Sequence, residues 1–178
     1  MRLTENQIKQ VEKDINHLTE EVSRLFLLRD KSSLAWEDWS KACEAWHNYQ
    51  SPTSFLWTKE FKASIKENDE MAVSEAILYL EVDPYYFRSG YLKERLLSLL
   101  KASKLSQRSK ARILHCFGNN LRSALWRRDT RYYFSLIAKN FTKEFLENYI
   151  NELNLPNTRK LRYLREYLKH YYSSNRAM

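Results

Sequence analysis

The sequence predicts an all-α fold: stacked helical hairpins forming an α-solenoid, preceded by a pair of long amphipathic helices. Three observations carry this. Only 2 Gly and 3 Pro occur in 178 residues, so few positions suit the positive φ of tight β-hairpin turns. Leu, Glu, Lys and Arg abound, which favours helix, and no stretch alternates apolar and polar residues over enough length to make a strand. The third observation is a repeat. Displaced by 50 residues, Tyr91-Leu-Lys-Glu-Arg-Leu96 falls on Phe141-Thr-Lys-Glu-Phe-Leu146. The register then holds without a gap through Lys110/Lys160, Arg112/Arg162 and Leu114/Leu164. A fainter copy lies upstream, where Lys59-Glu60, Met71 and Leu80 match Lys93-Glu94, Leu105 and Leu114. Each copy reads helix, polar turn, helix, as in hairpins that bury their apolar faces on their neighbours.

Thr4-Glu5-Asn6-Gln7 is a capping box that starts a helix over 5–29. Along it Ile8, Val11, Ile15, Leu18, Val22 and Leu25 keep alternating spacings of three and four, an a/d seam. Glu5–Lys9 and Glu20–Arg24 add i,i+4 ion pairs. The seam has to be covered, either by the next helix of the chain or by a second copy in a homodimer. Asp30-Lys-Ser-Ser33 breaks the helix and caps another. That one carries Trp36, Trp39, Cys43, Trp46 and Tyr49 on one face, read as core packing, with base stacking as the functional alternative. Ser51-Pro52-Thr53-Ser54 ends this acidic pair, residues 1–50, and opens the helical-repeat region, residues 51–178, of what reads as one continuous domain. Helices are predicted over 55–67, 70–81, 91–101, 107–125, 130–139, 143–153 and 158–172. Asp69, the serines between 103 and 109, Asp129 and Asn157 supply caps. Gly118-Asn119 bends or ends its helix. The triplets Tyr85-Tyr86-Phe87 and Tyr132-Tyr133-Phe134 fill wedges between hairpins. Residues from Ser173 onward fray.

Charge divides the chain. Residues 1–82 hold 10 Lys/Arg and 15 Asp/Glu, so 10 − 15 = −5, and residues 83–178 hold 20 and 7, so 20 − 7 = +13. A half this basic points to a polyanionic partner. On the helix over 107–125, Arg108, Arg112, His115, Asn119 and Arg122 share a stripe. On the last helix Arg162, Arg165, Lys169 and Arg176 share another, and Arg127, Arg128 and Arg131 join the two. Arginine's planar fork suits phosphate oxygens. The expected ligand is therefore a nucleic-acid backbone, DNA or RNA. The alternative is an adaptor that docks an acidic protein, as a dimer if the first helix is unpartnered.

Other classes lack their signatures. There is no phosphate loop, dinucleotide fingerprint or nucleophile elbow, so no enzyme is indicated, and no cofactor is expected. Cys43, His47, His115 and Cys116 do not make a metal-ligand pattern. No apolar run spans a membrane, and Met1-Arg-Leu-Thr-Glu5 has no signal-peptide core. With only two cysteines, an intracellular, cytoplasmic protein is expected.

The tandem hairpins over 55–172 resemble HEAT-like α-helical repeats in period and pattern. Some HEAT-like proteins are DNA glycosylases that act on alkylated bases with Trp, Asp and Arg beside a basic concave surface. Trp126-Arg127-Arg128-Asp129 contains those residue types, although the family's motif does not map onto it. The resemblance implies a remote glycosylase alternative. The residues themselves suggest a helix cap for Asp129.

Overall fold

A computed structural model describes residues 2–123 and 126–174. Among them the helices are α1 (Glu5–Phe26), α2 (Ser33–Asn48), α3 (Lys59–Lys66), α4 (Glu70–Val82), α5 (Ser89–Ala102), α6 (Gln107–Arg122), α7 (Thr130–Asn140), α8 (Lys143–Glu152) and α9 (Arg159–Ser174). No strand occurs among the described residues. None of the helices is long and apolar enough to cross a membrane.

Local chemistry sets most of the boundaries. The Gln7 amide donates to Thr4 Oγ1 at 3.3 Å, and the Thr4 amide donates to Gln7 Oε1 at 2.9 Å, so the capping box closes as predicted. Ser32, Asp69, Ser106 and Thr142 each accept a backbone N–H at the start of their helix. Several expectations need correction. α1 stops at Phe26, short of Arg29, and a 3-10 turn over Arg29–Lys31 leads into α2. Arg24 pairs with Glu21 at 2.7 Å rather than with Glu20. α3 begins at Lys59, because Ser54–Trp57 winds into a 3-10 turn and Thr58 takes the cap, accepting from the Phe61 amide at 3.1 Å. Thr158, not Asn157, holds the Leu161 amide. Asp129 occupies the N-cap position of α7 but makes no side-chain cap bond. α6 runs through Gly118-Asn119 to Arg122. Leu125 lies outside the described residues.

Packing joins helices two apart in the chain: α3 meets α5, α4 meets α6, α5 meets α7 and α7 meets α9. α4 is the central element. Val73, Ala76, Ile77, Tyr79 and Leu80 are all buried on it, the composition of a helix covered on several sides. With Leu96, Leu97 and Leu100 of α5, Phe117 of α6, Phe134 and Ile137 of α7, and Leu164 of α9 they form one core.

α1 crosses α4 with its first half, where Ile8 and Val11 are buried. The Leu3 amide donates to the buried Glu75 of α4 at 2.9 Å. Ile15, Leu18, Val22 and Leu25 are half-buried, and α2 packs along α1. The seam is thus covered in part by α4 and α2. α2 buries no residue fully. Of the stripe, Trp39, Cys43, Trp46 and Tyr49 are half-buried, with Trp46 and Tyr49 bonded to Thr19 and Asp14 of α1, and Trp36 is 53% exposed. Phe26, Leu27 and Leu34 are exposed with it near the turn of this helical arm. The aromatic triplets also behave differently from one another. Tyr133 and Phe134 are buried, whereas Tyr85 and Phe87 stand exposed.

Candidate nucleic-acid interface

The nine cations singled out in the basic half fall into two sets. Three are committed to carboxylates. Arg112 of α6 grips Glu81 of α4 through Nε at 2.8 Å and Nη2 at 2.6 Å, and donates to Ser74 Oγ at 2.9 Å. The Glu81 hydrogen bond pushes the Arg112 guanidinium above its ordinary value, so it stays charged. Arg127 binds Asp83. Arg128 binds Glu94 at 2.7 Å and lies 4.3 Å above the Tyr91 ring. The other six, Arg108, Arg122, Arg131, Arg162, Arg165 and Lys169, are exposed and have no ion pair among the described residues. Arg176 lies outside the described residues.

The fold gathers some of these into two grooves. The first, about 820 Å³, runs between α4 and the start of α6. Arg2, Lys104, Arg108 and Arg112 line it with the hydroxyl residues Ser74, Ser106 and Ser109. Ser106 caps α6 there, so the positive end of the α6 dipole adds to the side-chain charges. The second groove, about 450 Å³, lies between α8 and α9, with Lys143, Arg165 and Lys169 on its walls. Glu147 is its counter-charge, 3.5 Å from Lys143.

Arg122, Arg131 and Arg162 line neither groove. Along α6 the stripe is interrupted, since Asn119 contacts both His115, at 3.2 Å, and Arg122, at 3.4 Å. Sequence reasoning missed Arg2, Lys104 and Lys143. Lys104 had a signal, because it sits in the turn just before the α6 cap. Arg2 had none, because only the crossing of α1 over α4 brings it there.

A second polar group gathers the buried Lys93, Asp129 and Lys160 near the start of α7, with the exposed Asp83 at its edge. Asp83 accepts from Lys93 at 2.5 Å and from Arg127. Asp129 is 2% exposed, and its Oδ2 has no hydrogen-bond partner. Burial pushes its carboxyl above the usual range; Lys93 and Arg127 pull the other way, and Asp83 adds to the rise. Lys160 donates to the Asn120 and Ser123 carbonyls at 2.7 and 2.9 Å, and burial, then Arg127, push its ammonium down. Asp129 is therefore enclosed, while Trp126 beside it is exposed and meets Phe134 and Tyr163 edge-on.

Cys43 and Cys116 are free thiols, and burial followed by the Glu81 charge pushes Cys116 up to about 12. His47 Nδ1 is bonded to the Cys43 carbonyl at 2.7 Å. No cluster of three or more His, Cys, Asp or Glu suited to a metal occurs among the described residues. Comparison with known proteins finds no matching family model, no similar curated protein and no similar solved structure.

Proposed function

We propose that this chain is a non-enzymatic binding protein that holds a nucleic-acid phosphate backbone against its basic C-terminal half. The observation that carries this is the gathering of Arg2, Lys104 and Arg108 in one helix-lined groove and of Arg165 and Lys169 in another, all without an ion pair among the described residues. Cations left unpaired in concave surfaces raise the local concentration of a polyanion. Their contacts go to phosphates and read shape before sequence. The meeting of helices two apart supports reading residues 51–178 as a short HEAT-like stack, which would set the grooves along one extended body.

A protein partner is the second reading. The exposed Phe26, Leu27, Leu34 and Trp36 on the α1–α2 arm favour it, since clustered apolar side chains mark protein contacts.

Fluorescence anisotropy on pooled duplex DNA and RNA over a salt series separates the two. Each phosphate neutralised in B-DNA contributes about 0.9 to the slope of log K against log salt. Replacing Arg165 and Lys169 together by Gln is expected to reduce that slope by about 1–2 and to weaken unrelated sequences alike. Both side chains are exposed, so stability should move by no more than about 0.5 kcal/mol. If the unaltered protein binds neither DNA nor RNA at low salt, the nucleic-acid reading is wrong.

A further inference from the structure

A third concave site lies at the base of the α1–α2 arm, and it shares no lining residue with either basic groove. It encloses about 370 Å³ over the seam of α1, within the size range of small-molecule sites. Trp46, Tyr49, Trp57, Tyr86 and Phe87 contribute to its walls, with Arg88 beside them. The polar tips of the inner rings are already satisfied. Trp46 Nε1 donates to Thr19 Oγ1 at 3.2 Å, the Tyr49 hydroxyl donates to Asp14 at 2.8 Å, and the Tyr86 hydroxyl bonds that of Tyr79 at 2.7 Å. What remains for an occupant is largely apolar surface, with Ser51, Thr53 and Ser54 at one edge. Trp57 and Phe87 keep 42% and 52% of their area exposed beside it, an unusual outlay of large aromatics.

The one charged group lining this cavity is Arg88. It has no ion pair among the described residues. Its φ of 69° is left-handed, a conformation that costs an arginine and that tends to persist at ligand clamps. Arg95 lies 5.9 Å from the Trp57 ring and donates to the Trp57 carbonyl at 2.9 Å. No lining residue is acidic, and Asp14 behind Tyr49 is engaged by the tyrosine hydroxyl at 2.8 Å, so a cationic guest would meet arginine at the wall.

We propose that this cavity binds a small planar aromatic acid, with its ring between the aromatic walls and its carboxylate on the Arg88 guanidinium. Ring stacking supplies the fit, and a charge-assisted hydrogen bond fixes the orientation.

Titration calorimetry and tryptophan emission on the full chain test it with three probes: naphthylacetate, its neutral analogue naphthylacetamide, and choline. Naphthylacetate is expected to bind one-to-one and quench emission. The amide should bind about tenfold more weakly, the loss of one charge-assisted hydrogen bond, and choline should not bind. Arg88→Gln should reduce naphthylacetate to the affinity of the amide and leave the amide unchanged. Arg88→Gly serves as the second variant, because glycine accepts the left-handed φ without strain. It should stay folded and lose the acid to the same degree. No saturable binding of naphthylacetate, equal affinity for acid and amide, tighter binding of choline, or full acid affinity in either folded variant would overturn the proposal.

Discussion

Gly118 lies inside α6 where the Tyr149 side chain of α8 crosses it. The tyrosine hydroxyl donates to the Leu114 carbonyl at 3.0 Å, and its ring stacks on Phe117. A Cβ at position 118 would collide with that hydroxyl. Gly118→Ala therefore sets a helix-propensity gain of about 1 kcal/mol against a displaced ring, which costs about 1–3 kcal/mol by overpacking, and a lost hydrogen bond worth about 1 kcal/mol. The collision should win, with a net loss of about 1–3 kcal/mol in urea melts. In a Tyr149→Phe background, which lacks the hydroxyl, the same change should be close to neutral, and an unchanged loss there would rule out the collision. The sequence marked Gly118 as a break because its reason for being glycine, an atom on a helix 31 residues on (149 − 118), is not local. Asp129 was read as a cap for the same cause, since only the fold reveals that it is buried near Lys93 and Arg127. With its folded pKa above the unfolded value, the folded chain holds the proton more strongly. Its contribution therefore falls as pH rises from the unfolded towards the folded pKa, and the penalty is complete above the folded pKa. Asp129→Asn is expected to be no less stable than the parent at neutral pH and to flatten the acid-side dependence of its melts. A clear loss at pH 7 would mean that Lys93 and Arg127 need that charge.

At the scale of elements, the α1–α2 arm differs from the rest. α2 packs on α1 and the intervening turn and buries no residue fully, whereas Ile8 of α1 is wholly buried in the main core. Ile8→Ala should cost about 2–5 kcal/mol and be felt in global unfolding. Val22→Lys removes a half-buried contact worth about 1 kcal/mol. It should loosen the arm while the core melts almost as before, because local openings draw on local contacts. Amide exchange should show α2 opening well before α4, and the Val22 variant should accelerate α2 alone. Sedimentation of the same variant checks the seam: a change from dimer to monomer would show that a second copy, not α2, covers it. The seam, the capping box and most helix positions were legible because they depend on residues three or four apart. The α3 boundary was not, although Thr58 had the right side chain, because the apolar run of Phe55, Leu56 and Trp57 extended the helical pattern upstream. The succession of helices was legible, but the 50-residue offset in the sequence was no guide to contacts. Arg112 and Arg162 occupy the same repeat position, yet only Arg112 meets a carboxylate, 31 residues upstream on α4.

For the whole molecule, the net charge of the basic half overstates what a ligand would meet. Glu81, Asp83 and Glu94 neutralise Arg112, Lys93, Arg127 and Arg128 in part, while Lys104, Arg108, Arg165 and Lys169 stand without an ion pair among the described residues in the α4–α6 and α8–α9 grooves. α6 packs on α7, and α7 on α9. Counting half a step into each groove, about three helix steps of roughly 8–10 Å separate the groove centres, a path of roughly 24–30 Å. A duplex of about 6 base pairs is roughly 20 Å long and one of about 24 is roughly 80 Å, at the 3.4 Å rise of B-DNA. Only the longer one can reach both grooves at once, and that second engagement is effectively intramolecular. Replacing Arg2 and Arg108 by Gln removes charge from the first groove, and replacing Arg165 and Lys169 removes it from the second. On the long duplex each pair should lower the salt slope by about 1–2, and the two pairs combined by about 2–4. On the short duplex either groove suffices for a contact, so each pair alone should cost little and the combination should abolish binding. Equal losses on both lengths would mean that the two grooves do not act along one backbone, and that whatever anion binds there is met at a single groove.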